Sequence, residues 1–132
     1  MDKGVLKKIL VDISPLTHIT DGILLYGSQI SGKADERSDI DICLIAGPSH
    51  DPMEVLSASW RYMDSDIYDI RVFEQFPLHL KVRVLVQGIW LYERDPPALG
   101  EYLYSTWKRW DDQRFYQDPI PGVPNYQEGY TT

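Results

Sequence analysis

The chain has 132 residues, 43% of them hydrophobic and 25% charged, a balance that fits an ordinary soluble globular protein and excludes disorder throughout. One domain is expected at this length, with no room for a second catalytic one, so a large substrate must be met on the domain's own surface or by a partner. A formal net charge of -7 argues against general affinity for a nucleic acid backbone, and the single cysteine, Cys43, excludes an intramolecular disulfide.

The opening MDKGVLKKILVDI is too charged, and its apolar run too short, for a signal peptide or a membrane span, so a cytoplasmic location is expected. Within residues 2–13, Val5, Leu6, Ile9 and Leu10 fall on one stripe with lysines opposite, which predicts an amphipathic helix closed by Ser14-Pro15. GILLYG at 22–27 is an apolar run bounded by glycines. DIDICLIAG at 39–47 is rich in β-branched residues and ends at Gly47-Pro48; both stretches predict strands.

Pro52 opens a helix through MEVLSASWRYM, and DIYDIRVF at 66–73 supplies a third strand. In LHLKVRVLVQGIW at 78–90 helix and strand compete, and the reading favours helix, with Gly88 suited to its terminus. Pro96-Pro97 then precedes ALGEYLYSTWKRWDDQRFYQ, where Leu99, Leu103, Trp107 and Trp110 recur at helical spacing. Residues 118–132 hold three prolines and two glycines without periodicity, so an extended or disordered tail is expected after a domain spanning 1–117. There is no internal repeat. The order predicts an α/β (α+β) fold, a small mixed central sheet with helices packed on at least one face.

The chemistry concentrates at YGSQISGKADERSDID, residues 26–41. Residues two apart on a strand face the same way, so Asp39 and Asp41 project together while Ile40 and Ile42 turn to the buried face. Side-by-side carboxylates repel, and a divalent cation with oxygen ligands is the usual means of holding them. Asp69, alternating with Tyr68 and Ile70 on the third strand, is placed to complete the cluster; Asp64 and Asp66 compete for that role. Three carboxylates from two adjacent strands suit magnesium. Gly27 and Ser28 end a strand at a tight turn where backbone N–H groups can approach a phosphate. Together these are the parts for in-line displacement at phosphorus.

Gly27-Ser28, ten intervening residues, then Asp39-Ile40-Asp41 resembles the GS-x10-D-x-D signature of the nucleotidyltransferase superfamily with the polymerase-beta-like fold. The small size and later Asp-containing strand are similar to the minimal nucleotidyltransferases, including the MntA-type antitoxins that pair with HEPN toxins. The resemblance runs from about residue 20 to residue 92. It implies that Gly27 and Ser28 hold the triphosphate of ATP, that Asp39, Asp41 and Asp69 bind magnesium, and that Asp69 helps deprotonate an attacking hydroxyl. The implied reaction transfers AMP to a hydroxyl, in HEPN-paired members a tyrosine of the toxin, which silences an RNase. The turn departs from the family pattern at Ile30 and Ser31, before Gly32, where a small and then a basic residue are common; Lys33 and Arg37 are available to supply the missing charge.

His18, His50 and His79 lie far apart with no pattern for zinc, Cys43 reads as a core residue, and Ser49-His50-Asp51 reads as a loop and not a hydrolase triad. The aromatics Tyr102, Tyr104, Trp107, Trp110, Phe115 and Tyr116 cover more than one helix face, with core packing weighed over docking for each. Two alternatives stand beside AMP transfer to a cognate HEPN toxin. One is an antitoxin that acts by docking alone; the other is an aminoglycoside-like transferase for a small molecule, for which a shared site in a homodimer would have to make up the missing acceptor pocket.

Overall fold

The computed structural model describes residues 3–27 and 40–113. Helix α1 (Lys3–Ile13) buries Ile9 and Ile13 and keeps its lysines outside; it passes into a 3-10 turn, Ser14–His18, with Pro15 in its first positions and Leu16 buried. Strand β1 (Gly22–Tyr26) and strand β2 (Ile40–Ile45) follow, then helix α2 (Pro52–Tyr62). Asp51 caps α2 by accepting from Met53 N at 2.9 Å, and Pro52 sits at the position where a missing N–H costs nothing. Strand β3 (Tyr68–Val72), a 3-10 turn (Phe73–Gln75), helix α3 (Leu78–Gln87), strand β4 (Ile89–Glu93) and helix α4 (Pro96–Gln113) complete the described chain.

The strands form one mixed sheet in the order β3-β2-β1-β4. β1 pairs antiparallel with β2 and with β4, and β2 pairs parallel with β3. A parallel pair needs a crossover, and α2 supplies it between β2 and β3. Period-two alternation then sends side chains to opposite faces. Ile23, Leu25, Ile42 and Leu44 join Ile9, Ile13, Leu16 and Val55 on one side; Leu24, Cys43 and Ile45 join Phe73, Val84, Leu99 and Leu103 on the other. Both faces of the sheet are therefore covered. Ile42 and Leu44 are fully buried, each stabilising the fold by roughly 1.5–3 kcal/mol relative to exposure.

Strand β4 corrects the sequence reading, which has three strands and favours helix for 78–90. The helix stops at Gln87, and Gly88 turns the chain with φ -73° and ψ 158°. A Cβ on Gly88 would lie 2.5 Å from Val84 O, so the reversal demands a glycine. The β-branched and aromatic residues after it, Ile89, Trp90 and Tyr92, pair with β1 across a bulge at Ile23 and Leu24. The tail expected over 118–132 lies outside the described residues.

Candidate active site

Asp41 and Asp69 are direct partners in the parallel register of β2 and β3, on strands that neighbour one another at about 4.8 Å. Both share the face of Cys43 and Ile45, because Ile42 and Ile70 are turned toward the α1 and α2 side. Asp64 and Asp66, the other candidates, precede the strand, and Asp64 Oδ1 accepts from Asp66 N at 2.9 Å in an exposed turn. Asp69 pairs with Arg71, Oδ2 to Nε 3.6 Å, in a partly exposed ion pair of the kind worth little to stability.

Gly27 stands directly beside this pair. Tyr26 is the register partner of Asp41, and Gly27 has φ +86°, a conformation that L side chains rarely adopt. A Cβ there would run into the Asp41 carboxylate, so the glycine makes room for the acid as well as for the turn. These residues border a cavity of about 770 Å³ that is walled by Tyr26, Phe76 and the α3 residues Leu80, Arg83, Val84 and Gln87, with Arg71 at its rim. The α3 positions are spaced i, i+3, i+4, i+7, one face of a helix. Tyr26 meets Phe76 edge to face at 6.0 Å between centroids. Burial, then the neighbouring Cys43 and Asp41, push the Tyr26 phenol well above its usual range, so it stays protonated.

The other expected site residues, Ser28, Lys33, Arg37 and Asp39, and the turn residues Ile30, Ser31 and Gly32, lie outside the described residues. Among the described residues no cluster of three or more His, Cys, Asp or Glu side chains forms a metal site. The described pair nevertheless fits magnesium: the donors are hard carboxylate oxygens, in register, in a cradle that a Cβ at Gly27 would fill. Asp41 and Asp69, with Asp39 two positions before Asp41 in sequence, would be its ligands.

The core reading of Cys43 and the loop reading of Ser49-His50-Asp51 are borne out. Cys43 is buried, and burial raises its thiol far above the usual range, which leaves it inert. His50 Nδ1 lies 2.8 Å from Ala46 O, and Asp51 is spent on its helix cap. Trp110 is buried on α4 and Trp107 and Tyr102 are half-buried, so these aromatics mainly pack inward; Tyr104 is exposed. Phe115 and Tyr116 lie outside the described residues. The cavity residues Tyr26, Arg71, Phe76, Leu80, Arg83 and Gln87 have no role in the sequence reading. The i, i+3, i+4, i+7 pattern on α3 is a signal for four positions of this wall, once that segment is taken as a helix.

No described helix is long and apolar enough to cross a membrane. Residues 16–97 match the model of the polymerase beta nucleotidyltransferase family. A protein of Methanocaldococcus jannaschii with the provisional name protein adenylyltransferase MJ1547 is 35% identical over 91 residues, which cover 69% of this chain and 70% of that protein. Among solved structures, a toxin-antitoxin complex with AMP-PNP contains a chain of similar fold, with TM-score 0.60, 22% identity, and coverage of 83% of this chain and 90% of that one. Another is the tri-AMPylated HEPN toxin of Shewanella oneidensis in complex with MNT antitoxin, at TM-score 0.52 and 20% identity, covering 87% and 94%. The family match over more than half of the chain, together with the archaeal relative, establishes that this protein belongs to the polymerase beta nucleotidyltransferase family.

Proposed function

We propose that the protein is a magnesium-dependent adenylyltransferase that moves AMP from ATP to a hydroxyl of a protein partner, a tyrosine of a cognate HEPN toxin, and so acts as an antitoxin. The observation that carries this reading is the register of Asp41 with Asp69 beside Gly27, at the mouth of a cavity of about 770 Å³. That volume falls in the range of small-molecule sites. The names of the relatives support the choice of protein as acceptor: one is named for protein adenylyl transfer, and another belongs to a complex with an AMPylated HEPN toxin.

In this reading Gly27, Ser28, Lys33 and Arg37 hold the triphosphate, and Asp39, Asp41 and Asp69 hold magnesium. The metal, when bound, supplies charge stabilisation to the attacking and leaving oxygens. Asp69 accepts the proton of the acceptor hydroxyl as its oxygen bonds to the α-phosphorus. The bond from that phosphorus to the bridging oxygen of the β-phosphate breaks, and pyrophosphate leaves.

The test is nucleotide transfer by the purified protein with magnesium and each of the four α-labelled nucleoside triphosphates, beside Asp39→Asn and Asp41→Asn. Label from ATP is expected on the partner, falling at least about a hundredfold in either variant, the scale for losing one contact to developing charge. Circular dichroism and melting should be unchanged. Equal transfer by the variants would refute the assignment, and full neutralisation of the toxin by the double variant would favour docking alone.

A further inference from the structure

The proposed reaction, on which this inference rests, sets directions across the sheet. In that reading the triphosphate is held at the turn after β1, so in-line displacement would bring the acceptor oxygen from the opposite side, where Asp69 stands on β3. Among the described residues β3 is the last strand on that side.

Its outer edge is open at one place. Ile40 N donates to Ile67 O at 2.9 Å, and a parallel ladder continued from there turns the peptide groups of Asp69 and Arg71 toward β2 and those of Ile70 outward. Tyr68 N is already bonded to Asp64 O at 2.9 Å, and Val72 is buried. Among the described residues no backbone group pairs with the outward side of Ile70, which is half-buried. Unpaired edge groups are a template for another strand.

Trp60, on α2, stands beside this opening and is 64% exposed. A single exposed tryptophan is ordinary on a surface. This one lines two hollows along β3, of about 170 Å³ and about 310 Å³, and Ile70 lines both with it. The first shares Asp69 with the catalytic cavity, and the second shares Arg71 and Phe76 with it. The open edge and the exposed ring therefore adjoin the site of chemistry through Asp69, Arg71 and Phe76.

We propose that the hydroxyl-bearing segment of the protein acceptor adds to the sheet as an extended strand along β3, pairing with the Ile70 peptide groups and packing an apolar side chain against Trp60. Main-chain pairing gives such a segment its affinity, and alternation gives its specificity. The hydroxyl residue faces Asp69, and its immediate neighbours in sequence face Trp60. The acceptor is thus a hydroxyl residue flanked by apolar ones in an extended stretch.

The probe is the purified HEPN toxin that the proposed function takes as acceptor, with magnesium and ATP. Trp60→Ala and Ile70→Pro are each expected to raise the KM for toxin at least tenfold, with the KM for ATP and the release of pyrophosphate to water unchanged. A proline here removes an N–H that the ladder does not use, so the edge tolerates it while an added strand does not. In the wild-type complex the Ile70 amide should become protected from hydrogen exchange. Unchanged toxin KM in both variants, with Ile70 unprotected, would overturn the proposal. Protection of Ile70, with toxin binding weakened by Trp60→Ala but no AMP transferred by the wild type, would uphold strand addition and reject the transfer reading. A toxin that does not bind would overturn both.

Discussion

Gly27 is the residue on which turn and acid meet. Its φ of +86° costs an L side chain about 1–2 kcal/mol, and the Cβ of such a residue would also occupy the space of the Asp41 carboxylate. Gly27→Ala is therefore expected to lower stability by about 1–2 kcal/mol and to weaken ATP binding by displacing Asp41, checked by chemical denaturation and nucleotide titration. Normal ATP affinity in a folded variant would contradict the cradle. Asp41 and Asp69 are legible in the sequence because period-two alternation against Ile42, Tyr68 and Ile70 fixes the face of each. Arg71 and Arg83 are not, since an exposed arginine reads as a solvated charge until the opposite wall of the cavity is in place. Cys43 is legible as a core residue, because its place on an apolar strand marks it for burial.

At the scale of elements, the end of β2 is tied to the turn after β3. Glu74, in that 3-10 turn, accepts from Ala46 N and Gly47 N at 3.0 Å each, and from the Tyr102 hydroxyl of α4 at 2.6 Å. One carboxylate thus fastens the end of β2 to the helix behind it. Hydrogen bonds to a charged group contribute about 1.5–3 kcal/mol each, so Glu74→Ala, which removes three, is expected to destabilise the fold by at least about 3 kcal/mol, measured by urea unfolding. Because Glu74 lies beyond the far end of β2 from Asp41, residual transfer by the folded fraction should keep its KM for ATP; a raised KM would show that the tie also shapes the site. Helices α1, α2 and α4 and strands β1 to β3 are legible from periodicity and from Pro and Gly punctuation. Strand β4 is not, because 78–90 mixes two periods and its pairing with β1 is a contact between positions more than sixty apart in sequence. The Glu74 tie is likewise invisible to local pattern.

For the whole molecule, helices cover both faces of the sheet, which leaves its chemistry at the strand ends where Gly27, Asp41 and Asp69 gather. The family is legible in the sequence through one spaced motif, Gly27-Ser28 to Asp41, together with the later Asp69 strand. The identity of the acceptor is not a property of the fold, since one fold serves many acceptors and function resides in the site. The most direct test is the intact mass of the cognate HEPN toxin after incubation with this protein, ATP and magnesium, with Asp39→Asn and Asp69→Asn in parallel. The account predicts a gain of one or more AMP units on a toxin tyrosine with loss of its RNase activity, and no gain with either variant. An unmodified toxin, or equal modification by the variants, would contradict it.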